Sequence, residues 1–449
     1  MIVIGQSVIH YFTDPVLRAP TIGSMLMCFA AGLIGVIVFL RKESLVGESL
    51  SHAAYPGVAL GVLAAGTWAE PTPFILSLGI LLGAFSSALL GLIVIAFMER
   101  RLKVKSDAAL CFVLSAFFAV GITIASRMQF SHSSLYRKIQ VYLYGQAATM
   151  TDVHILIYGL LSLATVLAVL FLYKEILTIT MDRDYAKSLG LRVRWIDFLV
   201  FTLVVLAVVI GIRSVGVVLM SAMLIAPAVS ARQLTSKLYQ MFIIAGLSAL
   251  FSGFMGNYLS LEITELLSAR YPHERIGLPT GPMIVMVAST LSLMALFFAP
   301  ERGLVLRWWR MVMFRNKCVR ENLLKALWRS GEAAVVPLND LIRHQSGSKL
   351  YLKSMIRNLI RNGWVERVDG DAFCLTPDGR HRGARIIRLH RLWEVYLADY
   401  MGVGAEKVHY SAEEMEHILT PELERELTKL LRDPKQDPHE QPIPRDDAL

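Results

Sequence analysis

The stretch "GESLSHAAYPG", Gly47 to Gly57, sets a carboxylate (Glu48) and an imidazole (His52) four residues apart. It does so between segments oily enough to lie in a bilayer. On a helix, residues i and i+4 share a face, so both groups can address one point. A carboxylate with a neutral imidazole is a partial shell for Mn²⁺, Fe²⁺ or Zn²⁺. Ionisable groups within a membrane are costly unless they face a polar cavity, which makes them functional candidates. The plainer reading is that Glu48 caps a helix near the interface and His52 hydrogen-bonds a neighbouring helix.

The surrounding composition decides the fold class. The 449 residues are 55% hydrophobic, with a mean hydropathy of +0.51. Up to about Pro300 the apolar residues come in blocks such as "SMLMCFAAGLIGVIVFL", "WIDFLVFTLVVLAVVIGI" and "MIVMVASTLSLMALFFA". Uncharged blocks approaching 20 residues cross a hydrocarbon core as helices, each closing its own backbone hydrogen bonds. The expectation for residues 1–300 is an all-α polytopic membrane domain of eight or nine spans, near 20–40, 50–66, 74–98, 108–126, 153–173, 196–212, 215–231, 239–258 and 281–300. The second and seventh are interrupted by Gly and Pro and belong inside a bundle or along a cavity. The Lys/Arg-rich loops at Arg41, Glu99–Lys105, Met181–Arg194 and Ala231–Lys237 are expected on the cytoplasmic side, with everything after Pro300. Arg213 reads as a snorkelling interface residue rather than a pore lining.

After Pro300 charge is dense and split. Lys317 to Arg391 holds fifteen Lys/Arg against seven Asp/Glu, and the rest of the chain six against fourteen. The formal charge of +9 thus hides a basic segment followed by an acidic one. Residues 301–317, with Trp308 and Trp309 among arginines, suit a linker on the membrane surface. Residues 318–380 read as helix, turn, basic helix and hairpin, a winged helix-turn-helix. Residues 381–449 read as a long helix and two more. The four cysteines show no metal-type spacing, and the N-terminus reads as carrying no removable signal peptide. There is no G-x-x-x-x-G-K-[ST], so the chain has no P-loop of its own, and no H-E-x-x-H.

"GESLSHAAYPGVALG", with "YLYGQ", "MDRDYAKSLGL", "SVGVVLMSAMLIAPAVSAR" and "LPTGPMIVMVAS", resembles the permease subunits of bacterial zinc/manganese/iron ABC importers. The resemblance implies that Glu48 and His52 contact the metal in the translocation path, with Glu where the family usually has Asp. It further implies a multi-pass protein of the bacterial inner membrane, not itself an ATPase. The partners implied are a separate ATP-hydrolysing subunit, an extracytoplasmic metal-binding protein and a second permease copy. "MDRDYAKSLGL" resembles the segment that docks on the ATPase, marked by Asp182, Ala186 and Gly190. Taken alone it is equally an amphipathic interfacial turn.

In the tail, His390 and Glu394, and Glu413 and His417, again stand four apart, with Glu416 beside. Solvated helix faces are the plain reading; convergence on divalent ions through oxygen and nitrogen donors, Mn²⁺ or Fe²⁺ rather than structural Zn²⁺, is the sharper one. "LTPDGRHRGARIIRLHRLWEVYL", "VHYSAEEMEHIL" and "DPHEQPIP" resemble the diphtheria-toxin-repressor family of metal-activated repressors. That resemblance implies a regulatory metal set of His390, Glu394, His409, Glu413, Glu416 and His417, with Glu321 from the first helix. It implies Glu413 in the manganese-type position, a dimer, and no third SH3-like domain. The helix Ser348–Gly363 becomes the recognition helix, with Lys349, Tyr351, Lys353, Ser354 and Arg357, and Arg367 on the wing, facing operator DNA. A basic helix next to a membrane domain can equally lie on anionic lipid. The expected function is a metal permease fused to a metal-activated repressor released by cleavage in the linker. The alternatives are a tail that senses metal and inhibits transport without binding DNA, and a metal channel or carrier independent of ATP.

Overall fold

The computed structural model describes residues 8–66, 73–273, 277–331, 334–343, 347–368, 370–404, 412–413 and 415–444. They form two compact units, Met1–Leu306 and Arg307–Leu449. In the first, the apolar blocks become helices α1 (His10–Thr13), α2 (Arg18–Leu40), α3 (Leu45–Gly66), α4 (Pro73–Arg100), α5 (Ser106–Ser131), α6 (Ser133–Tyr144), α7 (Asp152–Phe171), α8 (Tyr173–Met181), α9 (Arg183–Ser188), α10 (Val193–Val215), α11 (Met220–Leu234), α12 (Leu238–Arg270) and α13 (Thr280–Phe298). Seven of the described helices, α2, α4, α5, α7, α10, α12 and α13, are long and apolar enough to cross a membrane. The segments expected at 50–66 and 215–231 are α3 and α11, which fall outside that set. At 15 residues α11 is too short, and α3 carries Glu48, His52, serines and glycines in place of a sustained apolar run.

Their burial explains why. Helix α2 is 72% buried along its apolar window, whereas α4, α5 and α7 are 28% buried. The exposed sides of those three carry large apolar groups, Leu82, Leu90, Phe112 and Leu160 among them, as a lipid-facing surface requires. Helix α3 packs mainly on α4 and α5, and α11 on α2, α12 and α13. Residues of α3 from Ser49 to Ala59 are all buried. Two glycines let these helices touch backbone to backbone. A Cβ at Gly57 would lie 2.0 Å from the Gly83 carbonyl oxygen of α4, and one at Gly35 of α2 would lie 1.8 Å from that of Leu224 in α11. Pro56 sits inside α3, where a missing N–H leaves the carbonyl four residues back, that of His52, without its helical donor.

Helix α14 (Leu304–Arg329) includes most of the expected linker and, from Arg307 on, is the first element of the second unit. Strand β1 (Val336–Pro337), α15 (Leu338–Arg343), α16 (Lys349–Arg361), β2 (Val365–Arg367), β3 (Ala372–Leu375), α17 (Pro377–Asp399) and α18 (Pro421–Leu430) follow. The sheet order is β1-β3-β2, antiparallel throughout, with Val365 opposite Leu375. Buried Leu352, Ile356 and Leu359 of α16, one face at helical spacing, meet Leu323, Leu327, Val365 and Phe373 in a single core. Ser348 accepts from the Tyr351 N–H at 3.3 Å and Thr376 from the Gly379 N–H at 3.1 Å, so each following helix starts on a side-chain cap. These elements give the helix, turn, helix and wing read from the sequence.

The close approach of α3 to α4 yields a direct test. Gly57→Leu is expected to destabilise the membrane unit by ~3 kcal/mol or more, the upper end for overpacking, because backbone rather than a movable side chain is in the way. Thermal denaturation of the detergent-solubilised protein checks it, with Gly277→Ala, an exposed position where a Cβ meets nothing within 4 Å, as the comparison.

Candidate metal centres

Helix α3 delivers both membrane candidates from one turn. His52 is 7% exposed and meets the Phe118 ring edge-on, with centroids 4.5 Å apart. Neighbouring hydroxyls are spent on backbone: Ser49 donates to the Leu110 carbonyl at 3.0 Å, Ser51 to that of Gly47 at 2.7 Å, and Ser87 to that of Ala53 at 2.6 Å. The His52 Nδ1 atom is buried and has no hydrogen-bond partner among the described residues. Glu48 is half-buried and likewise has no ion pair or hydrogen bond among them. A buried polar atom without a partner is uncommon and costly. An oxygen and a nitrogen donor held this way have the chemistry to bind a divalent cation.

The segment Met181–Leu191 has a local explanation at each position the sequence marked. Asp182 caps α9, accepting from the N–H groups of Asp184 at 2.9 Å and Tyr185 at 3.0 Å. Ala186 is fully buried, and Gly190 ends the turn with φ +78°. Sequence reasoning missed what holds this segment. Asp197 of α10 pairs with Arg183 of α9 and, at 2.9 Å, with the largely buried Arg41 that follows α2. Arg213, at the end of α10, is half-buried with its Nε enclosed.

In the second unit, α17 presents His390 and Glu394, and the segment before α18 presents Glu416 and His417. The groups form an alternating chain. Glu394 lies 3.1 Å from His390 Nε2, and His390 Nδ1 is 2.5 Å from Glu416 Oε2. Glu416 Oε1 is 3.6 Å from His417 Nε2, and His417 Nδ1 is 2.7 Å from Glu321 of α14. Glu416 stands in the middle with a fully buried side chain. Glu413 is about half-exposed, its carboxylate 4.0 Å from the Lys325 ammonium. His409 lies outside the described residues.

Lys325 is the member that sequence reasoning missed. It is 4% exposed, and its Nζ lies 2.8 and 3.0 Å from the two Glu416 oxygens and 3.2 Å from His390 Nδ1. Among the described residues no three donors converge as a bound ion requires; they pair with one another and with this ammonium. The electrostatics follow. Burial lowers the Lys325 pKa, with Glu416 opposing. Burial would raise that of Glu416, but His390 and Lys325 hold it below the usual range. Burial would lower that of His390, yet its bonds to Glu394 and Glu416 raise it. Two cavities reach this chain of groups. One of about 1310 Å³ is lined by Glu321 and Glu416, and one of about 490 Å³ by His390, Glu394, Asp437 and His439.

The basic face of α16 is partly engaged. The Tyr351 hydroxyl donates to Asn316 at 2.6 Å. Lys353 pairs with Asp371 at 2.9 Å, and Arg367 with the same carboxylate at 3.3 Å. Ser354 bonds the Tyr351 carbonyl at 2.7 Å. Lys349 and Arg357 are exposed.

The profile of the ABC 3 transport family matches residues 13–299. That of the iron dependent repressor, metal binding and dimerisation domain matches residues 376–445. A "Probable metal transport system membrane protein" of Chlamydia trachomatis is 34% identical over 443 residues, 97% of each chain. The "Manganese transport system membrane protein MntC" of Bacillus subtilis is 34% identical over 381 residues, 84% of this chain and 83% of that one. Among solved structures, "PsaBC from Streptococcus pneumoniae in complex with Fab" aligns with a TM-score of 0.55 at 27% identity, covering 66% of this chain and 96% of that one. The chain therefore belongs to the ABC 3 transport family, and it carries an iron dependent repressor metal-binding and dimerisation domain behind its permease.

Proposed function

We propose that the chain is the permease of an ATP-driven importer of a divalent transition metal, Mn²⁺ or Fe²⁺ first and Zn²⁺ next, and that its tail is a metal-activated DNA-binding repressor of uptake genes. The observation that carries the transport half is His52 Nδ1, buried without a partner one turn from an unpaired Glu48. Manganese in the name of the Bacillus subtilis relative supports the choice of ion. A separate ATPase docks on the segment marked by Asp182, Ala186 and Gly190, an external binding protein delivers the ion, and a second permease copy completes the path. Metal is cargo here, and the chain's part is to offer one carboxylate and one imidazole where water is excluded.

The tail lies on the cytoplasmic side of the inner membrane. Its donors fit a resident divalent ion: His390, Glu394, His409, Glu413, Glu416, His417 and Glu321 supply oxygen and nitrogen without thiolate. When bound, the ion supplies positive charge that draws α14, α17 and the segment before α18 together. That sets α16, with Lys349, Tyr351, Lys353, Ser354 and Arg357, and Arg367 of β2, against an operator. Lys353 and Arg367 are shared with Asp371, so phosphate must take them from that carboxylate. Cleavage within 301–317 frees the repressor from the membrane, where Trp308 and Trp309, both exposed, rest on lipid.

Outer-shell substitutions at metal sites already lower affinity by about 10–100-fold, so Glu48→Gln with His52→Ala should lower ⁵⁴Mn uptake into proteoliposomes at least tenfold while the protein still solubilises and folds. In a gel-shift with the unit Arg307–Leu449, Mn²⁺ should produce binding to the DNA upstream of the chain's own gene, and Glu416→Gln should abolish it. A tail that binds metal but gives no shift at any concentration points instead to direct control of transport. An immunoblot against the C-terminus in native cells should show a fragment of the tail's size; full-length protein alone counts against release.

A further inference from the structure

We propose that Lys325 is a tethered competitor for the cation position of the tail's metal centre. Its ammonium holds Glu416, beside His390, until a divalent ion drives it out, so this lysine sets how much metal the tail needs before its ligands are released. The inference rests on the reading of these residues as a metal centre and adds to it a group that the donor pattern does not contain.

Three observations carry it. Lys325 is almost fully buried, a state that lysine reaches essentially only when paired. Its Nζ sits astride both oxygens of Glu416, the one carboxylate in the cluster with no exposed side-chain surface, and 3.2 Å from the ring nitrogen of His390 that also faces Glu416. With Glu413 at 4.0 Å, the ammonium lies within reach of three of the proposed donors at once. An ion bonded to a Glu416 oxygen at about 2.0–2.2 Å occupies the space beside that ammonium, and two cations cannot share a buried carboxylate without strong repulsion. Ammonium and divalent ion are therefore alternatives at Glu416. The lysine can yield because its four-carbon stem rotates and its charge is compact, and the larger cavity gives Glu416 an approach from solvent through the face lined by Glu321.

The competition has a sign and a size. If the ammonium-held form makes up nine-tenths of the unliganded protein, apparent affinity is lowered about tenfold, and removing the charge restores it. Lys325→Met keeps the length and burial of the side chain without the ammonium; Lys325→Arg keeps the charge.

The test uses the full chain in detergent with Glu48→Gln and His52→Ala in the background, so that Mn²⁺ titration reads the tail. Lys325→Met should bind Mn²⁺ about tenfold more tightly than the lysine form, and Lys325→Arg no more tightly. If Glu416→Gln leaves Mn²⁺ binding unchanged, the metal-centre reading itself fails. If Glu416→Gln abolishes binding but Lys325→Met binds no more tightly than lysine, the competitor role is overturned and the centre stands. Should Lys325→Met fail to fold, the unsubstituted chain decides. Acetylation of the Lys325 amine, followed by mass spectrometry, should be suppressed without metal and rise several-fold with saturating Mn²⁺; equal protection in both conditions overturns the proposal.

Discussion

A charged group taken out of water must find an opposite charge or a set of hydrogen bonds, and this chain answers that constraint in two contrary ways. In the membrane unit Glu48 and His52 are left underserved: the serines around them bond backbone carbonyls, and the imidazole Nδ1 faces no partner among the described residues. In the tail the donors are overserved: Glu321, Glu394 and Glu416 each lean on an imidazole, and the central Glu416 on an ammonium as well. A site meant to pass an ion along gains from weak prior engagement, since the ion has nothing to displace. A site meant to respond to an ion's concentration gains from a competitor, since the competitor sets a threshold.

The membrane arrangement depends on how near the helices come. Gly57 against Gly83 and Gly35 against Leu224 bring α3 to α4 and α2 to α11 at backbone distance, which leaves no room for side chains to shield α3. Pro56 adds a second effect, because it frees the carbonyl of the same His52 whose ring is unpartnered. Polar backbone at membrane depth is tolerated only inside protein or along a cavity, and α3, buried from Ser49 to Ala59, meets that condition. The features that keep α3 out of the set of plainly membrane-crossing helices are therefore the same ones that leave polar groups along it.

Much of this was legible because a bilayer permits few backbone solutions. Apolar runs had to be helices, and the runs broken by Gly and Pro had to be interior. The wing was legible through the spacing of Val365 and Phe373 about a turn in which Gly370 adopts φ +53°. Strand β1 was not, since two residues ending in Pro337 carry no alternation to read. Lys325 was hidden for a different reason. In "NLLKALW" a single lysine looks like the solvated face of a helix, and only the fold brings it against Glu416, 91 residues away. Spacing within a helix reveals which donors share a face; it does not reveal what another helix sets between them.

The same blindness covers Asp197. In "VRWIDFLVF" it reads as an interfacial acid at the start of a span. Folded, it joins Arg183 of α9 to Arg41 after α2, and Arg41 lies only seven residues before Glu48. Exposed ion pairs contribute little to stability, but the Arg41 side chain is 6% exposed and that of Asp197 19%. A pair so enclosed resists separation, because parting it strands a charge. Asp197 thus ties α9 to the α2–α3 turn through ionic contacts that hold their geometry. Asp182, Ala186 and Gly190 shape that short helix, whereas an aspartate outside the motif connects it to the turn that precedes Glu48.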